Sequence, residues 1–222
     1  MKPKLIVFAS GTKDGGGSGF ENLARSPDLD ADIVAVVSNH ADGGVKQRAE
    51  KLNIPFIYFP GLYDAEHYSS VLQKTGIESG NLWVALSGWL KMVHGLDPQK
   101  TFNIHPAPLS MFRRRFGGDK MYGHNLHQAI ADALEKGEIT ESGASMHFVT
   151  DEYDKGPVFF EYRVPLRKGM TAEDIQAKVN IAEHAWQPKI TNLVVHGEIS
   201  WDGRNPDTLK VPEGYSFLPI AR

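Results

Sequence analysis

Two polar side chains at the end of an apolar stretch have the types and spacing for acyl-transfer chemistry. Residues 103–106 read Asn-Ile-His-Pro, so Asn103 and His105 lie two positions apart, on one face of a strand end. An amide donor beside a histidine can hold the negative oxygen of a tetrahedral intermediate, and the histidine can also move protons near neutral pH. A hydrogen-bonded pair at the edge of the core explains the same residues equally well.

A second histidine and a carboxylate follow later in the chain. His147 lies inside an apolar segment, where strand alternation predicts burial, and Asp154 lies in the polar, Gly/Pro-rich segment 151–157. Buried histidines are usually structural. A carboxylate near His105 would favour the charged form of the ring and orient it, but the sequence alone does not show that proximity.

A glycine-rich loop, residues 11–19, follows the first apolar run and precedes a helical pattern. A strand, a glycine loop and a helix start predict an anion site, because bare N–H groups and the positive helix end converge there. Neither a Walker A motif nor the dinucleotide fingerprint is complete, which argues against nucleoside triphosphates and NAD. An ordinary flexible turn is the alternative.

Other charged and metal-binding patterns are weak. His124 and His127 have helical i,i+3 spacing, but no acidic third ligand stands at a recognised distance, so no metal site is predicted. The basic run at residues 113–115 fits a solvated loop or a phosphate clamp. The chain has no cysteine, which excludes thiol nucleophiles and cysteine-bound metals.

Composition limits the class of protein. The chain has 222 residues, 41% of them hydrophobic, and a net charge of −3 from 24 Lys+Arg and 27 Asp+Glu. This excludes disorder and predicts one domain over residues 1–222, without the broad basic surface that nucleic acids attract. No apolar stretch approaches the roughly 20 residues of a membrane span, so a cytoplasmic protein is expected.

The segments that must position these side chains alternate between apolar runs typical of strands and patterns with helical periodicity. Apolar runs at residues 5–10, 33–38, 56–59 and 82–86 read as strands, with helical stripes between them. Further predicted elements are a helix from His124 to Gly137, strands at residues 145–150 and 158–165, and a helix from about Thr171 to His196. The pattern predicts an α/β fold, Rossmann-like, with a mostly parallel central sheet and helices on both faces.

Taken together, three motifs resemble the folate-dependent formyltransferases. They are residues 103–106, residues 142–150 (Ser-Gly-Ala-Ser-Met-His-Phe-Val-Thr) and the Asp-x-Gly-Pro-Val of residues 154–158. The resemblance runs from about Lys4 to Pro188 and includes the glycine loop and residues 88–93. It is strongest to the members that act on glycinamide ribonucleotide. It implies 10-formyltetrahydrofolate as formyl donor and the ribonucleotide amine as acceptor, in the third step of purine synthesis.

The resemblance also implies roles for individual residues. Asn103, His105 and Asp154 match the catalytic groups: the first two stabilise the oxyanion, and Asp154 keeps His105 charged and aids proton transfer, without a metal. Substrate contacts are implied at Gly17, Ser18 and Gly19 of the phosphate loop and at Glu183. A pterin pocket is implied at Leu90, Lys91, Met92, Val93, Asn103, Thr150, Asp151 and Asp154. The phosphate half is expected at about residues 1–100 and the folate and catalytic half at about 101–200.

Two departures from the family pattern affect the acceptor side. Residues 12–16 are extra relative to the usual short Ser-Gly-x-Gly-Ser-Asn loop, and Gly19 stands where that pattern has asparagine. Residues 113–122 replace the common Pro-x-x-Pro-Gly loop, so contacts there stay unassigned.

Three alternatives remain at this point. A formyltetrahydrofolate hydrolase would use water in place of the amine, but such enzymes usually carry an N-terminal regulatory domain, and this chain begins at its first strand. A methionyl-tRNA formyltransferase resembles this domain plus a basic C-terminal one. A non-catalytic folate or nucleotide-binding module would not need Asn103, His105 and Asp154. The chain is expected to be a monomer or a homodimer.

Overall fold

The computed structural model describes residues 1–111, 115–118 and 121–219, and within them it has seven strands and five α-helices. In order they are β1 (Lys4–Phe8), α1 (Ser18–Arg25), β2 (Asp32–Ser38), α2 (Gly44–Leu52), β3 (Phe56–Tyr58), α3 (Ala65–Gln73), β4 (Leu82–Ser87), β5 (Thr101–His105), α4 (Gly123–Glu135), β6 (Glu141–Phe148), β7 (Val158–Pro165) and α5 (Ala172–Val195). Short 3-10 helices span Ser79–Asn81 and Pro206–Thr208.

The strands form one sheet in the order β3-β2-β1-β4-β5-β6-β7. Neighbours from β3 to β5 are parallel, and β6 and β7 are antiparallel additions at one edge. Leu5 and Val7 of β1 face a core formed with α1, α2 and α5, while Ile6 and Phe8 face a core formed with α3. The predicted mostly parallel sheet with helices on both faces is therefore confirmed.

The strand order reverses beside β1. The chain moves outward from β1 through β2 to β3, and then returns to place β4 on the other side of β1. Loops that leave β1 and β4 therefore diverge, and such a point in an open α/β sheet leaves a crevice at the carboxyl ends of the strands. The glycine loop follows β1, and residues 88–93 follow β4, so both reach this crevice.

Strand β6 begins four residues earlier than the sequence predicts and ends two residues earlier. Its polar start resembles a turn, but Glu141 pairs with Arg163 of β7 at 2.6 Å. Gly143 lets the two strands approach closely, since a Cβ there would lie 1.9 Å from the carbonyl oxygen of Tyr162. Pairing with β7 thus overrides the weak strand propensity of this segment.

Helix α5 is capped at its start by a reciprocal pair. The Thr171 hydroxyl accepts from the Asp174 backbone N–H at 3.2 Å, and the Asp174 carboxylate accepts from the Thr171 N–H at 3.0 Å. The helix then runs for 24 residues along the sheet and past the crevice. Across the described ranges, no helix has the length and apolar character to cross a membrane.

Candidate active site

A cavity of about 310 Å³ lies at the carboxyl ends of β1, β4 and β5. Its walls include the glycine loop, the end of β5, the loop after β6 and one side of α5. The predicted catalytic and substrate-binding residues all line it: Gly17, Ser18, Gly19, Asn103, His105, Asp154 and Glu183. The fold thus gathers side chains that are far apart in sequence around one space.

Asn103, His105 and Asp154 meet where β5 pairs with β6. Asn103 lies opposite His147 in the antiparallel register, and its Nδ2 is 3.2 Å from His147 Nε2. Asp154 places Oδ2 3.8 Å from His105 Nδ1 and Oδ1 3.3 Å from His147 Nε2. The carboxylate therefore lies between the two imidazoles. His147, which the sequence left as a structural histidine, contacts two of the three predicted catalytic groups.

Asp154 is held in an unusual backbone conformation. Its φ is 52°, in the left-handed region that aspartate and asparagine adopt more readily than most residues. The Gly118 backbone N–H donates to Oδ2 at 2.8 Å. Burial acts in the opposite direction, but the neighbouring imidazoles of His147 and His105 and the hydrogen bond from Gly118 hold the pKa of Asp154 well below its usual range. The carboxylate is therefore charged at neutral pH.

His105 is buried, with 5% of its surface exposed. Its Nε2 lies 2.6 Å from the Phe116 carbonyl oxygen, which can only accept, so the ring proton is on Nε2. Burial lowers the pKa of His105 below its ordinary value, against the opposing effect of Asp154. The expected role of Asp154 in stabilising the charged form of this ring stays a prediction. The other ring nitrogen, Nδ1, lies beside the Asp154 carboxylate.

The glycine loop reaches α1 through two left-handed glycines. Gly16 and Gly17 both have φ of 80°, which a residue with a side chain rarely adopts, and α1 begins at Ser18. The first backbone N–H groups of a helix have no partner within it, so those of Ser18 and Gly19 are available at the cavity wall. This arrangement can receive an anion such as a phosphate.

The extra residues 12–16 fold into a tight turn that packs on the start of α2. The Thr12 N–H donates to the Gly15 carbonyl at 2.8 Å. A Cβ on Gly43 would lie 2.4 Å from the Thr12 carbonyl oxygen, and one on Gly44 would lie 2.4 to 2.7 Å from backbone atoms of Gly15 and Gly16. Two adjacent glycines therefore make room for the turn, whose end sets the position of Gly17.

We predict that Gly44→Ala weakens acceptor binding selectively, because its methyl group must push the turn and hence the loop amides away. The KM for a ribonucleotide acceptor should rise about tenfold, with the folate KM within about twofold, and amide hydrogen exchange over residues 11–17 should accelerate. Gly61→Ala is the control, since a Cβ at Gly61 meets nothing within 4 Å. Unchanged exchange and unchanged KM would show that the turn does not depend on Gly44.

Glu183 lies on the cavity side of α5 and is partly exposed. Burial raises the pKa of this carboxyl from 4.5 to about 7. Its charge therefore changes across the neutral range, from mostly neutral at pH 6 to mostly charged at pH 8. A carboxylate accepts hydrogen bonds from hydroxyl and amine groups better than the neutral acid does.

Acceptor binding should consequently depend on pH through Glu183. The acceptor KM is expected to fall between pH 6 and pH 8 as the carboxyl becomes charged, and Glu183→Gln should raise that KM at pH 8. The difference between the two proteins should shrink towards pH 6, where both carry a neutral group. Steady-state kinetics with each protein over this range measure the effect. A KM difference between the two proteins that does not vary with pH would show that the charge of Glu183 does not contribute to acceptor binding.

The residues predicted for the pterin pocket divide between two spaces. A recess of about 60 Å³ beside the cavity is lined by Lys91, Met92, Val93, Thr150, Asn103 and Asp154. Leu90 instead lines the larger cavity. Asp151 lines neither space: its side chain is 83% exposed and lies 3.9 Å from His94.

Residues 88–93 are fixed by aromatic side chains that sequence analysis did not single out. The Trp89 indole N–H donates to the Tyr68 hydroxyl at 2.8 Å, and that hydroxyl donates to the Met92 carbonyl at 2.8 Å. Tyr68 lies on α3. The helical stripes between the predicted strands indicated buried helix faces, but the sequence carried no signal for this hydrogen-bonded link.

The basic run at residues 113–115 is only partly described, because residues 112–114 and 119–120 lie outside the described residues. Arg115 pairs with Glu138 at 2.5 Å, a partly exposed contact. Of the predicted histidine pair, His124 lies 3.6 Å from Glu173, whereas His127 is buried and its pKa falls to about 4 through burial. Within the described parts of the chain, no group of three or more metal-ligating side chains forms.

Comparisons with known proteins agree on one family. Residues 3–191 match the family model described as formyl transferase. A chloroplastic phosphoribosylglycinamide formyltransferase of Arabidopsis thaliana is 31% identical over 230 residues, covering 93% of this chain and 73% of that protein. The phosphoribosylglycinamide formyltransferase of Escherichia coli (strain K12) is 30% identical, covering 98% and 94%. A crystal structure of phosphoribosylglycinamide formyltransferase from Anaplasma phagocytophilum shares the fold, with a TM-score of 0.74 over 98% of each chain at 24% identity.

Proposed function

Because this chain belongs to the formyl transferase family, we propose that it transfers the formyl group of 10-formyltetrahydrofolate to the amine of glycinamide ribonucleotide in purine biosynthesis. One observation on the structure supports this proposal in addition to family membership. A single cavity joins an anion-receiving loop at Gly17, the Asn103, His105 and Asp154 cluster, and the carboxyl group of Glu183. An acceptor with a phosphate at one end and an amine at the other suits such a cavity.

The first chemical step is attack of the neutral acceptor amine on the formyl carbon. Asn103 donates an amide N–H to the oxygen that becomes negative, which is the role of an oxyanion hole. The attacking nitrogen becomes positive and must lose a proton. His105 Nδ1 accepts it, since its other nitrogen already carries the ring proton and donates to Phe116.

Asp154 stabilises the imidazolium that results. Its carboxylate lies 3.8 Å from His105 Nδ1, on the side where the proton arrives. The folate nitrogen needs a proton to leave, and the imidazolium supplies it as the carbonyl reforms. The proton taken in the first step is thus returned in the second, so no group on the protein changes its charge over the cycle and no covalent enzyme intermediate forms.

The pterin of the donor is assigned to the recess beside the cavity. This assignment is supported by the position of Lys91, Met92, Val93 and Thr150 around that recess, with Asn103 and Asp154 shared between the two spaces. Backbone N–H and C=O groups can form hydrogen bonds there with a flat heterocycle that lies between apolar walls. Leu90 then contacts the donor from the cavity side, whereas Asp151, which is exposed and lines neither space, stays a prediction.

A formyltetrahydrofolate hydrolase is the runner-up, because water can attack the same carbon. The glycine loop and Glu183 on the cavity wall favour the transferase, since a hydrolase has no acceptor to bind there. We expect release of tetrahydrofolate to require glycinamide ribonucleotide and to be unaffected by EDTA. Purified protein with the donor, with and without the ribonucleotide, tests this by absorbance. Rapid turnover with the donor alone would support the hydrolase.

Several further expectations stay predictions. They are a single formyltransferase domain over residues 1–222 with a phosphate half and a folate half, a cytoplasmic location, a monomer or homodimer, and no nucleic-acid partner.

A further inference from the structure

Ser87 and Gln187 are two buried polar side chains on the cavity wall to which none of the roles above is assigned. Ser87 ends β4 and is 6% exposed, while Gln187 lies on α5 and is 1% exposed. Both line the larger cavity. Their side chains meet across the crevice, with Ser87 Oγ donating to Gln187 Oε1 at 3.4 Å.

This pair costs stability unless its polar groups are satisfied. Burying an amide or a hydroxyl without good hydrogen bonds is unfavourable. A separation of 3.4 Å is long for an O–H···O bond, and the bond uses only part of the capacity of the two groups to donate and accept. An apolar pair of similar size would pack in the same place without the loss of hydrogen bonds. We therefore interpret the polar atoms as ligand-binding groups.

Gly19 forms the third part of the same wall. A Cβ on Gly19 would lie 2.5 Å from Ser87 Oγ and 3.7 Å from Gln187 Oε1. The Ser87 side chain therefore occupies space that is available only because residue 19 has no side chain. Gly19 is also the position at which the family's loop pattern carries an asparagine side chain.

We propose that Ser87 and Gln187 bind the acceptor substrate beside Gly19, and that they supply from β4 and α5 the polar group that the loop lacks at Gly19. The inference rests on the proposed function. Gln187 keeps its amide N–H groups in addition to the oxygen that accepts from Ser87, and both side chains line the cavity together with Ser18 and Gly19. Neutral donors around a helix start suit a phosphate group of the ribonucleotide, which accepts through several oxygens.

Gln187→Leu tests the proposal by removing the amide while keeping much of the volume. The KM for glycinamide ribonucleotide should rise about tenfold, as expected for loss of a hydrogen bond to a charged group, with kcat and the folate KM within about twofold. Thr191→Val is the matched control. Thr191 is also buried on α5, but it lines neither space, so its variant should keep both KM values.

A second pair of variants tests the match with Gly19. Gly19→Ala alone should raise the acceptor KM at least tenfold, because the methyl group strikes Ser87 Oγ. In a Ser87→Ala background the nearest remaining contacts are 3.7 Å and 3.9 Å, which are ordinary, so the same change should cost several-fold less there. Equal costs in the two backgrounds would contradict the predicted spatial match.

Calorimetric titration of each variant with glycinamide ribonucleotide separates this inference from the proposed function. If the wild-type protein neither binds nor turns over the ribonucleotide, the proposed function fails. If the wild-type protein does both, and Gln187→Leu binds the ribonucleotide as tightly, the role of the pair is overturned. Equal weakening of ribonucleotide and folate, with a lowered Tm, would assign the pair a purely structural role and would also overturn it.

Discussion

Asp154→Asn should lower kcat by a factor of about 10² or more, while both substrates bind within about twofold of wild type. Asparagine adopts the left-handed backbone that Asp154 requires, with its φ of 52°, and keeps an oxygen for the Gly118 N–H. It lacks the negative charge that stabilises the His105 imidazolium during transfer. Single-turnover kinetics with both substrates bound measure this loss directly. Asp132→Asn, an exposed position on α4, is the control that should retain activity.

The partner variant His105→Ala should lose a comparable factor, because the ring is the group that accepts the proton. The two losses should not multiply, since Asp154 acts through His105 on the same step. The double variant is therefore expected to be little slower than the slower single variant. Free energies of activation that add fully would mean that the two side chains act independently, and the proton-transfer unit described above would be wrong.

Gly156→Ala is expected to have the second large effect, on activity and on stability together. A Cβ at Gly156 would lie 1.8 Å from the Phe148 carbonyl oxygen, a backbone atom at the end of β6. The chain must move there, and Asp154 is only two residues away. We expect kcat to fall more than tenfold, and the unfolding free energy to fall by about 1–3 kcal/mol, or about 2–4 °C in Tm for each kcal/mol.

Thermal unfolding and single-turnover kinetics on the same protein samples check this result. Gly61→Ala is the matched control, because no atom lies within 4 Å of the added Cβ. Wild-type kcat and Tm in Gly156→Ala would show that the loop tolerates the shift and that the close approach of Gly156 does not hold Asp154 in place.

The main elements of the fold were predictable because their patterns are strong and clearly bounded. Strand β7 matches the predicted residues 158–165, and α5 lies within one residue of its predicted ends, where Thr171 caps the helix. Strand β6 was misplaced because its first residues are polar and small. Its pairing with β7 through Arg163 and the close approach at Gly143 are long-range effects that no local pattern carries.

Part of the candidate site was also predictable from a clear local sequence pattern. Strand periodicity places Asn103 and His105 on one face, as the structure has them. Three features required the fold: the return of Asp154 to His105, the low pKa of His105 that follows from its burial, and the meeting of Ser87 with Gln187. The last two residues are 100 positions apart, and no sequence pattern predicts their contact.

The fate of the formyl carbon distinguishes transfer to the ribonucleotide from hydrolysis. The protein is incubated with 10-formyltetrahydrofolate labelled with carbon-13 in the formyl group, together with glycinamide ribonucleotide, and the products are followed by NMR. The label should appear as the formamide carbon of the ribonucleotide, in equal amount to the tetrahydrofolate released, and Asp154→Asn should slow its appearance about 10²-fold or more. Label recovered as formate, at the same rate with and without the ribonucleotide, would contradict the account.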